Sequence, residues 1–197
     1  MTIFSADAIA PPAQIFPPLV TIYFLSEILV QRYKRRDDYA VSHDQGSLHL
    51  LILIGVASLL FAKLSAMFVR ETQMAILYQL STPAIGVFFV GLAMRWYAII
   101  LLGRHFTTEV SIVADHKLID TGPYRFLRHP SYTGILLQFL AIGIRSGNVL
   151  TLAILVLPMT VALLYRIRIE EATLTEAFGT RYIAYMQKTK RLIPFVY

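Results

Sequence analysis

Two stretches of the chain hold most of the residues able to do chemistry. Residues 103–131 carry three histidines, four basic residues and three acids, and residues 167–197 form a second polar segment behind the last apolar run. Arg166 and Glu170 stand four residues apart, so on a continuing helix they share one face. An i, i+4 ion pair there would contribute only about 0.3–0.5 kcal/mol. Upstream, Gly122-Pro123 forces a turn, and His129-Pro130 restricts the backbone before a new helix, with Pro130 in the first turn where its missing N–H does no harm. The unpaired amides of that helix start suit the carboxylate of an amino-acid-like ligand, and Tyr124, His129 and Tyr132 can supply directed hydrogen bonds. A loop packed by tyrosines at the head-group level is the plainer use of the same residues.

Several familiar chemistries are absent from the sequence. No two glycines lie two residues apart, which removes G-x-G-x-x-G, and there is neither a G-x-x-x-x-G-K-[ST] phosphate loop nor a G-x-S-x-G nucleophile elbow. With no cysteine there is no disulfide, thiolate zinc site or cysteine nucleophile. The five histidines, His43, His49, His105, His116 and His129, have no helical metal spacing, so no metal is expected.

The elements that must position these residues are membrane helices. The 197-residue chain is 56% hydrophobic, only 15% charged and has a mean hydropathy of +0.61, against roughly a quarter charged in soluble domains. Its apolar residues fall into five runs, at about 13–30, 48–69, 83–102, 132–144 and 149–165. A hydrocarbon core of roughly 30 Å asks about 20 residues of a helix. The expected fold is therefore an all-α integral membrane protein with about five transmembrane helices. The fourth run is short and is joined through Arg145-Ser146-Gly147-Asn148 to the fifth, which predicts a helical hairpin. The opening run lacks the leader pattern of a signal peptide and is read as a helix that starts or kinks at Pro17-Pro18.

Fourteen of the eighteen cations follow the first, third and fifth runs. The positive-inside rule puts those segments in the cytoplasm and the N-terminus on the opposite side, so the net charge of +6 is mainly a topology signal and not a sign of nucleic-acid binding. Attraction to anionic lipid head groups is a secondary expectation. Within the runs, Glu27, Lys63 and Arg95 are ionisable residues in costly positions. Glu27 and Lys63 read as structural, whereas Arg95, beside Trp96 and Tyr97, is placed to line a cavity entered from the lipid. Residues 1–102 read as scaffold helices and 103–197 as the cofactor-binding and catalytic region, including the hairpin and a C-terminal helix, all within one integrated domain.

The sequence from His116 to Gly134, with its H-x-L-[VI], G-P-Y and R-H-P-x-Y-x-G elements, followed by Arg166-Ile167-Arg168-Ile169-Glu170-Glu171 and the ending F-G-x-x-Y-x-x-Y with Ile193-Pro194-Phe195, resembles the isoprenylcysteine carboxyl methyltransferase (ICMT) family. The likeness covers about residues 103–197, half of the chain. It implies S-adenosylmethionine as cofactor, contacted by His116, Lys117, Leu118, Ile119, Tyr124, His129, Pro130, Ser131, Tyr132 and Glu170. It also implies that Arg166 faces a substrate carboxylate, that Arg166 and Glu170 are the catalytic pair, and that Arg168 and Glu171 support them. Arg95 joins Arg166 as an expected substrate contact. One departure is the acidic run, which in the family is often longer and here stops after two glutamates at Ala172.

A prenylcysteine carboxylate is already ionised at neutral pH, so attack on a sulfonium methyl needs alignment and exclusion of water but no general base. The expected function is methylation of such a carboxylate on a lipophilic, prenylated cysteine or similar small molecule, in a multi-pass membrane protein with its site on the cytoplasmic side. Transfer to a phospholipid amine would require deprotonation and rise with pH. The same residues would also serve transfer to a small thiol, or a membrane scaffold that performs no catalysis.

Overall fold

The computed structural model describes residues 16–33, 41–42, 44–68, 74–106, 111–112 and 118–194. Helices dominate: α1 (Phe16–Tyr33), α2 (Ser47–Phe68), a short α3 (Ala75–Gln79), α4 (Ser81–Leu102), α5 (Pro130–Arg145), α6 (Val149–Phe178) and α7 (Thr180–Lys188). Two-residue strands β1 (Val41–Ser42) and β2 (Ser111–Ile112) pair antiparallel, joining the loop before α2 to the α4–α5 connection. Among the described residues, three helical segments are long and apolar enough to cross a membrane: Ser47–Ser65, Ser81–Leu102 and Val149–Phe178. The five apolar runs correspond to α1, α2, α4, α5 and α6, but α6 continues well past the last run, to Phe178. α1, at 18 residues, and α5, at 16, are the shorter ones.

Local chemistry fixes the helix ends. Pro17 and Pro18 occupy the first turn of α1, where their missing amides go unneeded. The α2 start is tightened by Gln45 and Gly46, at φ of 48° and 74°, while Asp44 caps the helix by accepting from the Leu48 amide at 2.9 Å. α5 opens with Pro130 directly after His129. Asn148 caps α6 through the Thr151 amide at 3.0 Å.

The core lies where α4, α5, α6 and α2 meet, and includes Phe88, Phe139, Ile142, Leu155, Met159 and Leu163. Apolar side chains on the outer faces stay uncovered, among them Leu53, Phe61, Val90, Ile100, Leu157 and Val161. That is the pattern of helices solvated by lipid. α7 turns back at Gly179, and the segment after it runs beside residues 126–129. Lys190 N donates to Phe126 O at 3.0 Å, Arg128 N to Lys190 O at 2.7 Å and His129 N to Arg191 O at 3.1 Å. Tyr185 adds a bond from its hydroxyl to Tyr124 O at 2.7 Å. The two polar stretches separated in sequence by α5 and α6 are thereby laced together.

Candidate functional site

The first turn of α5 projects onto α6 at Arg166 and Glu170. Arg166 and Glu170, on one face of α6, both meet Tyr132: Arg166 Nε donates to the hydroxyl at 2.8 Å, and the hydroxyl donates to Glu170 Oε2 at 2.6 Å. The tyrosine thus stands between the two charged groups. His129 stacks on Tyr132 with ring centroids 5.4 Å apart and planes within 3°. Its Nδ1 is 3.8 Å from Glu170 and its Nε2 3.4 Å from Glu171.

Glu171 points the other way and gathers cations. Arg128 Nε donates to it at 2.7 Å and Arg191 Nη2 approaches at 2.8 Å, while Arg128 Nη1 donates to the carbonyls of Met186 and Thr189. Glu171 is almost closed off, at 8% side-chain exposure, but Glu170 keeps 29%. One carboxylate therefore ties the C-terminal segment to the helix start, and its neighbour is open to a ligand.

On its far side the Arg166 guanidinium reaches the turn before α2. Its Nη1 donates to Asp44 Oδ1 at 2.7 Å and to Ser47 Oγ at 2.9 Å, and the Ser47 hydroxyl donates to the same Asp44 oxygen at 2.8 Å. Arg95, from α4, makes a two-pronged contact with Glu27 of α1, at 2.7 and 2.6 Å, and donates to Ser131 Oγ at 2.8 Å. Ser131 and Tyr132 are consecutive, so the two guanidiniums lie along one turn of α5.

Both line a single cavity of about 330 Å³. Its remaining wall is largely apolar, with Phe24, Ile28, Leu51, Ile52 and Val56 from α1 and α2 and Ile135 from α5. Such a space takes a greasy ligand that carries a polar or anionic end.

The structure brings together His129, Pro130, Ser131, Tyr132, Arg166, Glu170 and Arg95. Leu118 and Ile119 are half-buried in the approach to this turn, whereas His116 and Lys117 lie outside the described residues. Tyr124 is buried with its hydroxyl donating to Ala98 O at 3.3 Å, so here it packs against α4. Burial holds that hydroxyl above the ordinary tyrosine range. Of the ionisable residues in the runs, Glu27 is the partner of Arg95, and Lys63 lies on an exposed face of α2.

Sequence reasoning does not pick out Asp44 and Ser47. D-x-x-S ahead of an apolar run marks a helix start, but no local pattern announces a partner 122 residues away.

Comparison with known proteins matches residues 84–176 to the isoprenylcysteine carboxyl methyltransferase (ICMT) family. The chain is 31% identical over 119 residues to a protein-S-isoprenylcysteine O-methyltransferase B of Arabidopsis thaliana, covering 59% of this chain and 60% of that one. It is 32% identical over 117 residues to a protein-S-isoprenylcysteine O-methyltransferase of Schizosaccharomyces pombe, covering 58% and 50%. The chain thus spans between half and three-fifths of the length of these relatives. Its fold is similar to the solved structure of a eukaryotic intramembrane Ras methyltransferase ICMT, with a TM-score of 0.69 and 28% identity, over 96% of this chain and 70% of that one. Across residues 84–176 the sequence is similar to the ICMT family, and the fold is similar to that of a solved ICMT over nearly the whole chain.

Proposed function

We propose that this chain transfers a methyl group from S-adenosylmethionine to the carboxylate of a lipophilic, isoprenylcysteine-like substrate at the membrane. The observation that carries the proposal is the cavity, in which apolar walls from α1 and α2 meet Arg95, Arg166 and Tyr132. A prenyl chain suits the walls, and a carboxylate suits the guanidiniums.

The residues beside the cavity also fit the cofactor. Glu170 is a partly open carboxylate next to the stacked rings of His129 and Tyr132, a donor set suited to the ammonium or hydroxyl groups of an amino-acid nucleoside. Glu170, His129 and Tyr132 would hold it, with Leu118, Ile119 and the preceding His116-Lys117 completing the contact. When bound, the cofactor supplies an electrophilic methyl on a sulfonium. Arg166 orients the acceptor carboxylate, and the apolar wall excludes water that would solvate it. No side chain has to remove a proton, because the acceptor is already ionised.

Five helices, α1, α2, α4, α5 and α6, cross the bilayer in this reading, with α5 and α6 as a hairpin. The clustered cations support a cytoplasmic location for residues 103–131 and the C-terminal segment. Residues 1–102 supply mainly the scaffold, and 103–197 supply the cofactor contacts.

Calorimetry on purified protein should give micromolar affinity for S-adenosylmethionine or its demethylated product, about 8 kcal/mol. Labelled methyl should then appear as a base-labile ester on an S-prenylated N-acetylcysteine. Absence of cofactor binding in several detergents by folded protein would overturn the proposal. A rate that climbs steeply toward alkaline pH would favour an amine acceptor instead.

A further inference from the structure

Asp44 precedes the family-matched region, yet it is only 5% exposed and its carboxylate sits 2.7 Å from the guanidinium proposed to hold the acceptor. Groups among the described residues fix it there. The Ser47 hydroxyl and Arg166 Nη1 share Oδ1, and the Leu48 amide holds Oδ2 at 2.9 Å. The arrangement welds the start of α2 to the middle of α6 and gives the cation a permanent counter-charge.

That counter-charge matters because the proposed transfer destroys charge. A lone pair of a carboxylate oxygen forms the O–CH3 bond as the S–CH3 bond breaks and its electron pair returns to sulfur, so an anion and a cation become a neutral ester and a neutral thioether. A fully charged guanidinium would hold the acceptor most strongly before transfer and lose that hold as the negative charge drains away. It would stabilise the ground state more than the transition state, which tightens binding and slows the chemical step.

Resting on the proposed function, we infer that Asp44 is a positioning residue that compensates the Arg166 charge. Directional hydrogen bonds to the acceptor are kept, while the Coulomb attraction that opposes transfer and favours carboxylate over ester is reduced. The turn before α2 is thereby a determinant of substrate affinity, turnover and ester release.

The test compares wild type with Asp44→Asn, using an S-prenylated N-acetylcysteine and its methyl ester as probes. Affinities are measured without methyl donor, and then initial rates with it. Asp44→Asn should bind the carboxylate about five-fold tighter, leave ester affinity unchanged and lower kcat by at least the same factor, so that KM and kcat fall together. Unchanged or weaker carboxylate binding by a folded variant, or carboxylate and ester affinities moving in parallel, would overturn the inference, since a purely structural role gives those results. If the variant does not fold, wild type decides. Carboxylate and ester affinities within about ten-fold of each other support compensation, and a preference for carboxylate beyond about a hundred-fold overturns it. Failure of wild type to form any labelled ester would instead sink the methyltransferase reading, and the role of Asp44 in that reaction with it.

Discussion

Gly134 of α5 faces Gly91 of α4 so closely that a methyl built on Gly134 would lie 2.6 Å from the Gly91 carbonyl oxygen, and one on Gly91 would lie 2.7 Å from the Gly134 carbonyl. The final glycine of the R-H-P-x-Y-x-G element is therefore a packing residue. It lets α5 lie against the turn of α4 that carries Arg95, whose Cβ is 2.9 Å from the same position. Because two of the three nearest atoms are backbone, no side-chain rotation relieves the clash. Gly134→Ala should cost about 2 kcal/mol or more and lower the unfolding temperature in detergent, with Gly134→Val worse. A Gly134→Ala variant as stable as wild type would show that the two helices can separate without loss.

The Arg95–Glu27 pair calls for a variant that separates stability from chemistry. Arg95→Met leaves the Glu27 carboxylate, 23% exposed, without its two-pronged partner and should destabilise by about 3 kcal/mol. Arg95→Met with Glu27→Leu removes both charges, so thermal stability should return to near the wild-type value. If Arg95 also contacts the acceptor, the double variant will be stable but will bind the prenylated carboxylate poorly. A stable double variant with wild-type KM would confine Arg95 to a structural part.

These relationships mark where the sequence can and cannot be read alone. Helix positions are readable because lipid demands long apolar runs, and the helix start at Pro130 is readable because proline and its predecessor constrain the backbone locally. The contacts of Arg166 are only partly so. Its face-sharing with Glu170 follows from helical spacing, but the intervening Tyr132 hydroxyl and the distant Asp44 depend on how α5 and α2 pack. Similarly, Glu27 and Arg95 are each conspicuous as charges within apolar runs, yet their pairing across 68 residues needs the fold. The β1–β2 pairing and α3 carry too few residues to leave a periodic signal.

Sidedness can be tested because the chain has no cysteine of its own. Single cysteines at positions 71 and 187 should respond oppositely to an impermeant maleimide added to sealed cells, with 71 labelled and 187 protected until the membrane is opened. The reverse pattern would turn the site to the other compartment.

Alkaline pH should loosen the junction of α7 with the α4–α5 connection. Burial raises the Tyr124, Tyr182 and Tyr185 hydroxyls above their ordinary range, so the folded state holds those protons more tightly than the unfolded one. Their contribution is complete below the unfolded value of about 10 and is lost as pH rises beyond it. Unfolding temperature should therefore fall above roughly pH 10, and less steeply in Tyr185→Phe. Identical pH profiles for the two proteins would remove Tyr185 from that transition.

Arg166 is best tested by lysine, because alanine would leave buried Asp44 without its cation and confound stability with chemistry. Lysine keeps the charge and can still meet Asp44, but it lacks the planar fork that reaches Tyr132 and Asp44 at once. Turnover should fall on the order of a hundred-fold, about 2.7 kcal/mol, with affinity for S-adenosylmethionine nearly unchanged. Glu170→Gln should do the reverse: the carboxylate beside His129 is lost, so cofactor affinity weakens while the acceptor still binds. Full activity in Arg166→Lys would reduce the guanidinium to a point charge. Equal loss of cofactor binding in both variants would mean that Arg166, Tyr132 and Glu170 act as one unit, and the assignment of Arg166 to the acceptor would fail.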